Sequence, residues 1–215
     1  AALGAQTKAV LNEEGTHYII DGQKMWITNG GFADVFIVFA QVDGEKFTGF
    51  IVPRDTEGLS LGEEEDKLGI KGSSTRMVFF ENAKVPKENV LGQIGRGHKI
   101  AFNVLNIGRY KLCAMAMGAA KGCLKMGINY AKEREQFGTS IANFGAIKYK
   151  IAEMATRIYA TECATYRTSG YINDLIDQQI EEGNDYIKAK LNAAEEYSIE
   201  CAILKVLGSE TLDYV

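Results

Sequence analysis

The spacing of apolar residues changes near Gly95, and this change constrains the fold more than any other feature of the sequence. Before it, short apolar runs alternate with Gly-containing turns, which is typical of β-strands. After it, apolar residues recur every three or four positions, which is typical of amphipathic helices. Strands followed by long helices predict an α+β fold with segregated parts. We expect a β domain over 1–92 and a helical domain over 93–215.

The β part predicts seven short strands, with Asp21-Gly22 forming a hairpin turn between the second and the third. The predicted strands cover residues 7–11, 18–20, 24–28, 35–41, 47–53, 59–62 and 76–85. Many short strands joined by Gly-rich turns favour a small antiparallel barrel or sandwich.

The helical part predicts three long helices, each with a stripe of large apolar residues that we expect to be buried. In the first helix the stripe includes Met115, Met126 and Tyr130, and in the last it includes Ile199 and Ile203. Three such helices need a fourth helix or a partner chain to bury these stripes, so we predict an incomplete antiparallel bundle.

Composition excludes several classes of protein. The formal net charge of −4 gives no reason to expect nucleic-acid binding. No apolar run approaches the roughly 20 residues of a transmembrane helix, and residues 1–10 do not resemble a signal peptide. Two histidines and four cysteines without a Cys-x-x-Cys pair predict no metal site. We interpret the acidic run 63–66 as a solvated loop or edge.

The segment Gln-Lys-Met-Trp-Ile-Thr-Asn-Gly-Gly, residues 23–31, contains the only tryptophan. In a strand, Trp26 and Thr28 point to the same face, which sets a flat ring beside a hydroxyl. This pair suits a planar heteroaromatic ligand. The alternative is a core tryptophan that precedes a turn.

Two further segments have candidate binding residues. Arg134 lies at a predicted helix end and is followed by Gln136 and Phe137, a combination that suits a pyrophosphate and a stacked base. The alternative is a helix cap with the phenylalanine packed in the core. Asn106 and Arg109 begin the first long helix, where Arg109 could equally be a surface cation.

These motifs resemble those of the acyl-CoA dehydrogenase family, and the match covers nearly the whole chain. The resemblance implies that the indole of Trp26 lies on the isoalloxazine ring of FAD, with Thr28 near flavin N5 and the backbone of Ile27 in contact. It also implies that three residues hold the pyrophosphate and adenosine of FAD bound to a neighbouring subunit. These are Arg134, Gln136 and Phe137.

By the same resemblance, Asn106 and Arg109 line the acyl-CoA channel. Two branches of the family place the catalytic Glu immediately before this Arg, but here the position is Gly108, which cannot take a proton. Phe79-Phe80 and Asn143-Phe144-Gly145 look most like the very-long-chain branch. Gly145 stands where many members have a Gln.

Both ends of the sequence look cut. The resemblance implies a catalytic base that would follow Val215 and an FAD loop that would precede Ala1, so we expect this chain alone to be inactive. The resemblance implies that the full enzyme oxidises saturated, long-chain acyl-CoA to trans-2-enoyl-CoA in fatty-acid β-oxidation. An electron-transfer flavoprotein would accept the electrons. It implies a homo-oligomer, dimer or tetramer, in the bacterial cytoplasm or the mitochondrial matrix. Two alternatives are a non-catalytic assembly factor and an acyl-CoA oxidase.

Overall fold

The computed structural model describes residues 4–215, which divide into two compact units. The first unit runs to Ala101 and the second spans Phe102–Val215. The first contains a β-sheet and the second contains helices, so the predicted α+β class is confirmed.

A seven-stranded sheet forms the first unit. Its strands are β1 (Lys8–Leu11), β2 (His17–Thr28), β3 (Val35–Val42), β4 (Lys46–Pro53), β5 (Leu59–Glu64), β6 (Thr75–Pro86) and β7 (Val90–Leu91). The spatial order is β5-β6-β2-β1-β3-β4-β7. The sheet is mixed, because β1 pairs parallel with β3 while the other neighbours are antiparallel. Within residues 4–215 no pairing joins β5 to β7, so the sheet does not close into a barrel.

The sheet curls strongly around one hydrophobic core. Tyr18 on β2 and Phe50 on β4 are three strand positions apart, which would be roughly 14 Å in a flat sheet. Their ring centroids are nevertheless 5.2 Å apart in an edge-to-face contact. The core buries alternate residues of the strands, because successive side chains of a strand point to opposite faces of the sheet. These include Ile20, Val38, Val52, Val78, Phe80 and Val85.

The predicted hairpin at Asp21-Gly22 is wrong, because β2 continues through these residues to Thr28. The pairing of β2 with β6 shifts register between Ile20 and Gly22, and Gly22 has a φ of 140°. A β-bulge uses the same residue types as a tight turn but bends the strand without reversing it. Gly22 also lies close to Thr7, since a Cβ there would approach the Thr7 Cα to 2.8 Å.

Long helices dominate the second unit. They are α1 (Gly97–Glu133), α2 (Gly145–Glu181), α3 (Tyr186–Glu196) and α4 (Ser198–Tyr214). The first residues of α1 belong to the first unit, which ends at Ala101. Between α1 and α2 lie the two-residue strands β8 (Glu135–Gln136) and β9 (Thr139–Ser140). Short 3₁₀ turns occupy Lys87–Asn89 and Ile141–Asn143. Among the helices of residues 4–215, none combines the length and apolar character needed to cross a bilayer.

The large apolar residues of the predicted stripes on α1 and α4 are not buried within residues 4–215. Met115, Met126 and Tyr130 of α1 are exposed, as are Ile199 and Ile203 of α4. The buried residues are mostly small or hydroxyl-bearing. They include Cys113, Ala116, Met117 and Ala120 of α1, Ile158, Thr161, Thr165, Thr168 and Ile172 of α2, and Cys201, Leu204, Gly208 and Thr211 of α4. Small side chains let helix axes approach closely, which explains why this face is the buried one.

Hydroxyl groups in this interface are hydrogen-bonded rather than left unpaired. Thr161 Oγ1 lies 3.1 Å from Thr211 Oγ1, which joins α2 to α4. Thr165 Oγ1 donates to the Thr161 carbonyl at 2.8 Å and lies 3.2 Å from Cys113 Sγ. Gly208 is tightest of all, because a Cβ there would meet Cys113 Sγ at 2.7 Å.

We predict that Gly208→Ala destabilises the helical unit although alanine is the better helix former. The added methyl also meets the Cys113 backbone at 2.9 Å. Overpacking of about 1–3 kcal/mol should outweigh the gain of about 1 kcal/mol in helix propensity. The matched control is Gly118→Ala on α1, where a Cβ meets nothing within 4 Å. Urea unfolding followed by circular dichroism should show a lower midpoint for Gly208→Ala and an equal or higher one for the control; the reverse order would contradict the close contact.

Candidate functional site

Trp26 occupies a bulge two residues before the end of β2. Its φ is 54°, and the pairing of β2 with β6 shifts between Lys24 and Ile27 before it resumes at Ile27–Arg76. The indole is 67 % exposed, whereas Ile27 packs against the β core. Thr28 is exposed as well. The core-tryptophan alternative is therefore wrong, and the ring and the hydroxyl stand on the outer side of the strand end.

A tight turn follows Thr28, and the guanidinium of Arg54 donates hydrogen bonds to it. Asn29 has a φ of 64°, and its carbonyl accepts from the backbone N–H of Ala33 at 2.8 Å. Arg54, just after β4, donates to three carbonyls of this turn: Gly30 at 3.3 Å, Gly31 at 3.0 Å and Ala33 at 3.1 Å. Backbone acceptors that the turn leaves unpaired are thus satisfied by one side chain.

Ser74 also bonds to this turn, through different backbone groups. The Ser74 carbonyl accepts from the Asn29 backbone N–H at 2.9 Å, and the Ser74 Oγ accepts from the Gly31 backbone N–H at 2.9 Å. The Ser74 hydroxyl in turn donates to Glu64 Oε1 at 2.6 Å. The carboxylate of Glu64 therefore fixes the direction in which this hydroxyl can accept.

Glu64 accepts hydrogen bonds from three groups. It accepts from Arg76 Nε at 2.7 Å and from the Thr75 backbone N–H at 2.9 Å, in addition to Ser74. The hydrogen bond from Ser74, followed by those from Arg76 and Thr75, lowers the pKa of Glu64 to about 2. Sequence reasoning missed this role, since it interpreted the acidic run as solvated. Glu64 pairs with Arg76 in the register of β5 with β6, and this pairing would have indicated the role of Glu64. A single sequence does not reveal the register between strands.

A second group of candidate residues surrounds a small hairpin in the helical unit. Arg134 directly follows α1, and Phe137 and Gly138 form the turn between β8 and β9 with φ values of 54° and 79°. Positive φ at both turn positions is the geometry of a type I′ hairpin. Phe137 is 94 % exposed, so the alternative of a phenylalanine packed in the core is wrong. Gln136 is exposed on the same hairpin.

The guanidinium of Arg134 is available for a ligand. Its backbone is fixed, because its N–H donates to the Tyr130 carbonyl and its carbonyl accepts from Ile141, both at 2.9 Å. Its side chain is exposed and has no hydrogen bond or ion pair with any of residues 4–215. A free cation beside an exposed ring can bind an anion and stack a base.

Asn106 and Arg109 form a third group, near the start of α1. Asn106 is buried, and its Nδ2 donates to the Ala194 carbonyl of α3 at 3.3 Å. Its Oδ1 accepts from Arg109 Nη1 at 3.0 Å, while Arg109 itself is exposed. Asn103 makes a parallel contact by donating to the Leu191 carbonyl. Asn106 is thus positioned to orient Arg109, a role that the sequence did not indicate.

The predicted residues therefore gather in three local groups, one in the first unit and two in the second. Side chains of His, Cys, Asp and Glu form no cluster of three suited to a metal ion within residues 4–215.

Comparison with known proteins gives a consistent result. The family model "Acyl-CoA dehydrogenase, middle domain" matches residues 2–83, and "Acyl-CoA dehydrogenase, C-terminal domain" matches residues 95–215. A probable acyl-CoA dehydrogenase of Bacillus subtilis is 53 % identical over 214 residues, which is all of this chain and 36 % of the relative. The human mitochondrial very long-chain specific acyl-CoA dehydrogenase is 38 % identical, over 97 % of this chain and 30 % of its own length.

Among solved structures, the acyl-CoA dehydrogenase of Bacillus anthracis complexed with FAD superposes with a TM-score of 0.91 at 52 % identity. The match covers 99 % of this chain and 36 % of that one, so this chain spans about a third of the relatives' length. Since the two family models account for both the sheet and the helices, the chain belongs to the acyl-CoA dehydrogenase family.

Proposed function

We propose that this protein is an FAD-dependent acyl-CoA dehydrogenase that oxidises saturated acyl-CoA to trans-2-enoyl-CoA in fatty-acid β-oxidation. An electron-transfer flavoprotein is its proposed electron acceptor. The observation that carries the proposal is the exposed indole of Trp26 near the exposed Thr28 at the end of β2. A member of the same family has been solved in complex with FAD.

The strand end fits a flavin. An exposed indole offers a flat apolar face for a tricyclic ring, and the Thr28 hydroxyl two residues later can donate to a ring nitrogen. Ile27 packs inward and keeps the strand anchored between these two side chains. When bound, FAD supplies the hydride-accepting chemistry, while these residues orient the ring.

The hairpin after α1 fits the distal part of FAD. The unpaired Arg134 guanidinium suits a pyrophosphate, Gln136 adds an amide, and the exposed Phe137 ring offers a stacking surface for adenine. We propose that this hairpin serves the flavin of a second copy in a homo-oligomer, dimer or tetramer. The exposure of all three side chains supports this role.

Arg109, held by Asn106, is the proposed group that faces the acyl-CoA channel. Gly108, immediately before it, bears no carboxylate, so none of the residues assigned here is the catalytic base. We infer a preference for long acyl chains from the likeness of Phe79-Phe80 and Asn143-Phe144-Gly145 to the very-long-chain branch.

The deciding experiment is anaerobic mixing of the full-length protein, loaded with FAD, with acyl-CoA of graded chain length. Bleaching of the flavin absorption by palmitoyl-CoA supports the proposal. Peroxide formation in air would instead identify an oxidase. Binding of acyl-CoA without flavin reduction would identify a non-catalytic relative.

We predict that Arg134→Ala weakens FAD binding by the full-length protein. A charge-assisted phosphate contact contributes about 1.5–3 kcal/mol, which corresponds to a rise in the Kd of roughly 10- to 150-fold. Titration of the apoprotein with FAD measures this change. Lys132→Ala is the matched control, because it removes an exposed cation two residues away that the proposal leaves unused. Equal affinities for the two variants would remove Arg134 from the site.

A further inference from the structure

We propose that Glu64 and Arg54 are positioning residues for the flavin face, which hold the strand end bearing Trp26 and Thr28 through two separate sets of hydrogen bonds. The inference rests on the proposed function only in that it takes Trp26 and Thr28 to face the flavin. Neither Glu64 nor Arg54 needs to touch the cofactor, since both act through the backbone of the turn after β2.

The strand end requires such support because its backbone is strained. Trp26 and Asn29 are both non-glycine residues with positive φ, at 54° and 64°, and they bracket Ile27 and Thr28. Backbone in this region persists only where the surroundings over-determine it. A rotation at either residue would turn the indole or the hydroxyl away from its direction on the outer face.

Glu64 supports the turn through one intermediary. Its carboxylate accepts from the Ser74 hydroxyl at 2.6 Å, and the same oxygen of Ser74 accepts from the Gly31 backbone N–H at 2.9 Å. The three residues are closely packed, since a Cβ on Gly31 would lie 2.5 Å from Ser74 Oγ and 2.8 Å from Glu64 Oε1. The chain Glu64–Ser74–Gly31 therefore transmits the position of the carboxylate directly to the turn.

Further contacts fix the carboxylate itself. Arg76 Nε and the Thr75 backbone N–H donate to its two different oxygens, at 2.7 Å and 2.9 Å. Thr75 and Arg76 are also the β6 partners of Thr28 and Ile27. Glu64 thus connects β5 to the part of β6 that pairs with the flavin-facing residues.

Arg54 supports the turn through its own set of hydrogen bonds. Its guanidinium donates to the carbonyls of Gly30, Gly31 and Ala33, whereas Ser74 bonds to the N–H groups of Asn29 and Gly31. Acceptors of the turn are thus held by a residue that follows β4, and its donors by a residue that precedes β6. Loss of either system should leave backbone polar groups of the turn without a protein partner.

The test uses Trp26 as its reporter, because it is the only tryptophan of the 215-residue chain. Glu64→Gln replaces one carboxylate oxygen by an NH2 group. One orientation of the amide places this group opposite the Thr75 N–H, and the other places it opposite Arg76 Nε and the Ser74 hydroxyl, so either orientation leaves a donor without its acceptor. We expect lower fluorescence anisotropy of Trp26 and roughly tenfold faster hydrogen exchange at the Gly31 amide, as for a local opening. Glu63→Gln is the matched control, since it removes the same charge one residue away and its side chain has no hydrogen bond or ion pair with residues 4–215.

Non-additivity tests the route through Ser74. Ser74→Ala should lower the Trp26 anisotropy as Glu64→Gln does, and the double variant should lower it no further. Ser74→Thr, which keeps the hydroxyl, should stay near the wild type. Unchanged anisotropy and exchange in both Glu64→Gln and Ser74→Ala would overturn the proposal, as would equal effects in Glu63→Gln. If Glu64→Gln does not fold, Ser74→Ala carries the test alone.

A second readout separates this inference from the proposed function. In the FAD-loaded full-length protein, Glu64→Gln should change the visible circular dichroism of the bound flavin, while Glu63→Gln should not. A response of Trp26 without any flavin response supports the positioning of the strand end but contradicts the placement of the flavin there. The absence of a Trp26 response overturns the positioning role whatever the flavin does.

Discussion

The left-handed backbone of Trp26 is the constraint on which the candidate site depends. A positive φ at a bulky residue costs about 1–3 kcal/mol and must be offset by its surroundings. The surroundings here are the resumed pairing of Ile27 with Arg76, the packing of Ile27 on the core and the bonded turn that begins at Asn29. Together they stabilise the backbone that directs the indole outward. In a regular strand, the alternation of side chains alone would determine this direction.

The sequence predicted much of this arrangement but not its cause. The change of apolar spacing near Gly95 separated sheet from helices, and the i, i+2 rule predicted that Trp26 and Thr28 share one face. Whether that face was buried could not be decided from spacing, because the bulge depends on pairing with β6. The Asp21-Gly22 bulge, the open sheet and the Glu64–Arg76 pair were missed for the same reason. Register between strands is a property of the folded chain.

The helical unit shows a different limit of sequence reasoning. The apolar spacing predicted long helices, but the last predicted helix is in fact two helices, α3 and α4. Large apolar residues such as Met126 and Ile199 remain exposed in this chain, and smaller side chains make the contacts between its helices. Helix packing here favours close approach over side-chain size, so that Gly208 lies against Cys113 and threonine hydroxyls pair across helices. A residue-by-residue hydrophobicity scale gives Thr161 and Thr211 too little weight, because it does not include the hydrogen bond that their buried hydroxyls make to each other.

This packing also sorts the four cysteines into two reactivity classes. Cys123 and Cys163 are exposed, whereas Cys113 and Cys201 are buried completely. Burial raises the pKa of the Cys201 thiol, and Cys113 Sγ shares its contact with Thr165. An alkylating reagent reacts with thiolate that it can reach, so it should modify the first pair at once and the second pair only when the helices separate. The slow phase of alkylation would therefore measure the rate at which the helices separate transiently, with native cysteines as the reporters.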